Sequence, residues 1–180
     1  MSVEAEVWHY DGRNANRWQP RLVGDAAAFS LIGEGWESGP YAWADLQAPA
    51  PALQVIGRRD VRSNNSWMHN LPMLAKGPER CTLEVHPDDA RRLGLADGGT
   101  ATVQRGEASL QVPVRLSDAV MPGVVSLPHG WGHALPGSRL GIAAERPGAN
   151  LNALFDGRAT DPLSGNAVLA GVAVDVRALN

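Results

Sequence analysis

The sequence predicts a mainly β domain with short helices, closed into a compact barrel. Short apolar runs recur with strand periodicity, and turn residues separate nearly all of them: 20 glycines and 13 prolines are spread along 180 residues. Only one segment carries the start and stop signals of a helix. About six short strands joined by long loops suit a closed barrel better than an open sheet with exposed edges.

The elements follow in order. Residues 1–51 read as a lead-in segment, with four of the six tryptophans (Trp8, Trp18, Trp36, Trp43) and a linker-like end, Gln47-Ala-Pro-Ala-Pro-Ala52. Residues 52–180 read as the folded unit. Leu53-Gln-Val-Ile56 is a short strand stopped by Gly57. Cys81-Thr-Leu-Glu-Val85 alternates with period two. In His86-Pro-Asp-Asp-Ala-Arg-Arg-Leu-Gly94, proline stands at the first helical position, acids fill the first turn, arginines the last, and glycine follows. That order describes a short capped helix with few apolar residues, lying on the surface. Asp97-Gly98-Gly99 turns into a strand over 100–104, and Arg105-Gly-Glu107 returns it as a strand over 110–116. Leu110, Val112, Val114 and Leu116 share one face, and Pro113 points that strand to an edge or a bulge. Met121-Pro-Gly123 opens a strand over 124–127, and Val172-Ala-Val-Asp-Val176 is the last.

Composition excludes several classes. A net charge of −3 offers no field for nucleic acid. No apolar run is long enough for a membrane span. Met1–Tyr10 lacks the basic, apolar, small-residue order of a secretory signal, so a cytoplasmic location is expected. The single cysteine, Cys81, rules out an internal disulfide and any cysteine-built metal site within the chain. Cys81 reads as a small buried hydrophobe. Fifteen of the sixteen basic residues are arginine, whose planar fork suits phosphate and carboxylate.

Three stretches are candidates for binding. Residues 56–70 begin where a strand ends and hold almost nothing apolar enough for a core. Gly57 admits close backbone approach to a ligand, and Arg58, Arg59 and Arg62 can neutralise phosphates. Ser63, Asn64, Asn65 and Ser66 supply short neutral donors and acceptors for a heterocycle edge or pyrophosphate, and Trp67 can stack or plug. A solvated loop with arginine ion pairs is the competing reading. The second stretch, Leu127-Pro-His-Gly-Trp-Gly-His133, looks like backbone bent against a flat object. Its His129 and His133 are four apart, but the glycines oppose the helix that a metal pair would need; a tight loop anchored by Trp131 is the plainer reading. In the third, Asn150 and Asn152 flank Leu151, so one amide faces inward toward a partner or caps a turn. Asp161-Pro162 and Ser164-Gly165 read as turns. Phosphate-loop, dinucleotide-fingerprint and serine-elbow motifs are absent from the sequence.

In their order and separation these pieces resemble the C-terminal dinucleotide-binding domain of molybdopterin oxidoreductases, the family of formate dehydrogenases, nitrate reductases and dimethyl sulfoxide reductase. The matching residues are Gly57-Arg58 with its polar tail, Val85-His-Pro-Asp-Asp-Ala90 with Gly94-Leu-Ala-Asp-Gly98, Met121-Pro-Gly-Val-Val125, Pro128-His-Gly-Trp-Gly132, Asn152 and Asp161-Pro-Leu-Ser164. The resemblance implies a six-stranded double-psi β-barrel that helps hold molybdenum (or tungsten) bis(molybdopterin guanine dinucleotide). By that analogy loop 56–66 holds one dinucleotide, His129 and Gly130 lie beside it, and Asn152 bonds the pterin or its phosphate. The family's metal ligand and iron–sulfur cysteines lie in other domains, so the implied partners are those domains or a large catalytic subunit, and the chain alone is expected not to catalyse. The run Asn64-Asn65-Ser-Trp-Met-His-Asn70 favours a formate dehydrogenase-like parent by resemblance. The alternative is a double-psi barrel that binds protein or peptide without cofactor.

Overall fold

Alternating β-branched residues form the strands, and one chain segment joins the two edges of the resulting sheet. The structure is a computed structural model that describes residues 5–9, 19–23, 52–160 and 166–179. The chain divides into two units, residues 1–50 and 51–180. In the first, β1 (Ala5–His9) pairs antiparallel with β2 (Gln19–Val23), from Ala5↔Val23 to His9↔Gln19. Trp18, Trp36, Trp43 and the Ala-Pro linker up to Pro51 lie outside the described residues, as does the 161–165 turn.

The second unit contains β3 (Gln54–Arg58), β4 (Leu83–Val85), β5 (Thr100–Arg105), β6 (Ala108–Leu116), β7 (Val124–Pro128), β8 (Val172–Ala173) and β9 (Asp175–Ala178). Their lateral order is β8-β3-β7-β4-β6-β5-β9. Only Val174 separates β8 from β9, so the segment predicted as one last strand supplies both edges. Counted as one, it leaves six strand positions around a double-psi β-barrel. The β3–β7 and β4–β6 pairs are parallel and the remaining neighbours antiparallel. Closure pairs the edges that an open sheet would leave bare.

The barrel interior is aliphatic. Val55, Leu83, Val85, Ala101, Val103, Val112, Val114, Val125 and Leu127 are at most 2% exposed, and their period-two spacing is what the sequence predicts. Pro113 is neither at a sheet edge nor in a bulge. The first part of β6 pairs with β5 as far as Thr100↔Pro113, and the part from Val114 pairs with β4. Val114 N donates to Gly99 O at 2.8 Å and Val114 O accepts from Gly98 N at 2.9 Å, so alternation turns the missing Pro113 N–H away from β5, to the side where pairing with β4 begins one residue later.

The predicted helix is α2 (Pro87–Leu93); α1 (Pro72–Ala75), which shares only its leading proline, and α3 (Gly141–Glu145) are short. His86 caps α2 by accepting from Asp88 N at 3.2 Å. Asp89 is buried rather than a surface acid: its Oδ2 accepts from Gly123 N at 2.6 Å and its Oδ1 from Arg92 at 2.7 Å. Burial works against the Asp89 carboxylate, yet these two bonds hold it below the ordinary range. The carboxylate thus fixes the turn that opens β7 and sets where the 127–133 stretch begins.

Candidate functional site

The parallel pairing of β3 with β7 ends at Arg58↔Pro128, so the segments that follow leave the barrel side by side. His129 N donates to Arg58 O at 3.3 Å at this exit. Further out, Gly130 has φ +90°, and a Cβ there would stand 1.8 Å from Asn65 O, inside the first loop's backbone. Gly132, at φ +109°, faces the third stretch, where a Cβ would lie 2.6 Å from Asn150 Cβ. Only glycine permits both this backbone conformation and this approach. Gly132 N and His133 N both donate to Pro147 O, at 2.7 and 3.0 Å. The stretch 127–133 is therefore wedged between the other two, and all three predicted stretches meet at one end of the barrel.

The outward groups are mostly those expected. Arg59, Asn64, Asn65 and Asn152 are exposed, and Arg62, Ser66, His129 and Gly130 partly so. Asn64 and Asn65 have φ of 43° and 66°. Asparagine tolerates this left-handed region better than most non-glycine residues, which gives the Asn-Asn pair a backbone role besides its amides. Arg59 Nη1 donates to Asn65 Oδ1, bracing the loop tip. Burial and the Arg59 charge hold His129 below the ordinary histidine range. The loop's one acid, Asp60, is engaged, accepting from Arg62 N at 2.8 Å and pairing with Arg80 Nε at 3.0 Å.

Two predicted residues face inward. Arg58 donates to Ser126 O at 2.6 Å and to Thr82 O at 2.7 Å, with Nε 3.7 Å from Glu84. Its alternating position at the strand end turns the guanidinium across β7 and toward β4, and it does not reach out to a phosphate. Burial lowers its pKa while Glu84 opposes the change. Ser63 is 1% exposed, with its hydroxyl 2.7 Å from His69 Nε2. Gly57 is exposed and sits in ordinary contact with Leu151, where a Cβ would stand 3.5 Å away. In the third stretch neither asparagine turns inward. Asn150 Oδ1 caps a 3-10 turn (Leu151–Leu154) by accepting from Asn152 N at 3.1 Å, and Leu151 and Leu154 are buried instead.

Sequence reasoning missed the support beneath the loop. His69 is 2% exposed, its ring 4.0 Å from that of Trp131 and its Nδ1 2.7 Å from His133 Nε2. Asn70 Oδ1 caps α3 by accepting from Ile142 N and Ala143 N at 3.1 and 3.2 Å. The signal was a histidine and an asparagine ending a polar run, but apart from Ser63 their partners lie more than sixty residues away. Cys81 is buried beside Ala149 and its thiol is pushed up to about 11 by burial, so it is no nucleophile. Among the described residues, no group of three or more His, Cys, Asp or Glu is placed to hold a metal.

A double-psi barrel whose converging loops present arginine, asparagine, serine and histidine, with the one loop acid engaged, has the donor set that a dinucleotide's phosphates and base edges require. Residues 53–173 match the family described as Molydopterin dinucleotide binding domain, and the chain belongs to that family. The arsenate respiratory reductase molybdopterin-containing subunit ArrA of Chrysiogenes arsenatis is 32% identical over 129 residues, 67% of this chain and 15% of that protein. The NADPH-Fe(3+) oxidoreductase subunit alpha of Geobacter sulfurreducens is 32% identical over 98 residues, 51% of this chain and 11% of that protein. The chain thus spans between 10% and 15% of the curated relatives it matches. Acetylene hydratase from Pelobacter acetylenicus shares the fold, with a TM-score of 0.58 and 21% identity over 84% of this chain and 22% of that one. The cofactor this family binds is molybdopterin guanine dinucleotide, and the outward donor set fits it.

Proposed function

We infer that this chain holds and orients one molybdopterin guanine dinucleotide of a molybdenum or tungsten oxidoreductase, through Arg59, Arg62, Asn64, Asn65, Ser66, His129, Gly130 and Asn152. Gly57, Arg58 and Ser63 serve as the frame behind them. The observation that carries this reading is the convergence of the three polar stretches at the shared exit of β3 and β7. When bound, the cofactor supplies metal-centred redox chemistry. This chain's residues bind, orient and exclude water. Its partners are the remaining domains or a large catalytic subunit. The exposed Val61, Trp67 and Met73 on and beside the loop (93%, 83% and 68% exposed) suit a surface that such a partner covers. The formate dehydrogenase-like parent rests on the 64–70 run, and a cytoplasmic location is proposed with it; among the described residues no helix is long and apolar enough to cross a membrane.

Arg59→Ala and Asn65→Gly test the site in the assembled enzyme. Glycine at 65 preserves the left-handed backbone while removing the amide. A charge-assisted hydrogen bond contributes about 1.5–3 kcal/mol, so Arg59→Ala should weaken guanine dinucleotide retention by about tenfold or more. Asn65→Gly should weaken it in the same direction. Unchanged guanine and metal content in both variants would reject the assignment.

A further inference from the structure

We propose that His69 is the positioning residue of the dinucleotide loop, acting through a Ser63–His69–His133 chain that holds the loop at neutral pH and releases it in acid. The inference rests on the reading that this loop binds the dinucleotide. Ser63 is the loop's pivot: its N–H donates to Asp60 O at 3.0 Å, its C=O accepts from Met68 N at 3.1 Å, and its hydroxyl lies 2.7 Å from His69 Nε2. The two residues that follow, Asn64 and Asn65, carry the left-handed backbone that presents the loop tip. His69 passes the connection to His133, 64 positions away on the wedged stretch, at 2.7 Å.

Proton counting shows what this chain tolerates. Two imidazole nitrogens facing each other share one hydrogen. With both rings neutral the chain is complete in either direction: Ser63 donates to His69 and His69 to His133, or the reverse. One added proton still leaves a single hydrogen between the rings, but places a charge beside the Trp131 ring, 4.0 Å from His69, which is 2% exposed. Two added protons set N–H against N–H and break the contact. The charged groups around His69 are Arg80, which lies 6.0 Å over the Trp131 ring, its partner Asp60, and Arg146, which lines the same small cavity. Burial, His133 and Arg80 disfavour a charge on His69, and Asp60 and the Gly130 backbone favour it less strongly. His133 is partly exposed, so on protonation it can turn to water and leave His69 without its partner.

The test is hydrogen exchange on the full chain between about pH 7.5 and about pH 5, around the ordinary histidine range. Amide protection at Ser63, Trp67 and Met68, corrected for intrinsic exchange, should fall about tenfold or more on acidification, before that of β6 and β7. His69→Gln keeps a neutral donor and acceptor, so its loop should stay protected and lose the pH dependence. His69→Phe should lose loop protection at every pH; if that variant does not fold, His133→Gln, altered at the partly exposed end, should likewise flatten the pH response. Loop protection in the native chain that does not change with pH, or that survives His69→Phe, would overturn the proposal. In the assembled enzyme, guanine released by an acid wash is quantified alongside. Exchange that follows the expected pattern while every variant and the native enzyme keep full guanine content would leave the latch standing and refute the loop's assignment to the dinucleotide.

Discussion

Arg58 shows how a residue of the right type at the right place can serve the frame instead of the ligand. Glu84 is 8% exposed and is held by Arg115 at 2.5 Å and by Arg58. Arg58→Ala leaves that carboxylate short of a partner and strands the carbonyls of Thr82 and Ser126. Removing one member of a buried charged cluster costs about 3–5 kcal/mol, and urea unfolding should show a loss of that order. Arg58→Lys should recover little, because a single ammonium cannot reach Ser126 O and Thr82 O together as the fork does. Cys81 provides an independent probe. With a thiol pKa of about 11 and 1% exposure, its alkylation at mildly basic pH should proceed only through unfolding, so the labelling rate should rise in Arg58→Ala. Rapid labelling of the native chain would contradict its burial.

The elements differ in how much of them can be read from sequence. Strands β4 to β7 and helix α2 are legible because burial on one face imposes alternation and because helix ends require Pro87, Asp88, Asp89 and Gly94 in that order. The break at Val174 and the interior place of Pro113 between β5 and β4 are not, since both depend on which strands close the barrel, a non-local matter. The site divides the same way. Loop polarity marked residues 56–70, whereas the inward turn of Arg58 and Ser63 follows from contacts with Thr82, Ser126 and His69 that no spacing reveals. Gly130 carries the element-scale prediction. Its side-chain-free backbone lets the 127–133 stretch lie against Asn65, so Gly130→Ala must push the two loops apart. Guanine retention should drop at least as far as in Arg59→Ala, while Gly141→Ala, where nothing stands within 4 Å and φ is not left-handed, should leave it unchanged. Equal retention in the two glycine variants would contradict the convergence.

For the whole molecule, three histidines share one direction. His69 and His133 are lowered chiefly by burial, and His129 by burial and then Arg59. By about pH 7.5 both folded and unfolded chains hold these rings almost wholly neutral, so their contribution is intact. As pH falls below that value the unfolded chain takes up protons first, and stability declines until the folded pKa values are passed. Asp89, held low, adds a further loss below the ordinary carboxylate range. The melting temperature should therefore fall between about pH 7 and about pH 5, and less so in His69→Gln; a flat profile would contradict the buried neutral rings. The central claim, that this barrel holds a molybdopterin guanine dinucleotide within a larger redox assembly, meets its most direct test in native mass spectrometry of the chain isolated from its own source, with metal and guanine analysis of the same sample. The account predicts that the sequence is recovered in an assembly containing molybdenum or tungsten together with guanine dinucleotide. A free 19.1 kDa species carrying neither metal nor guanine would contradict it.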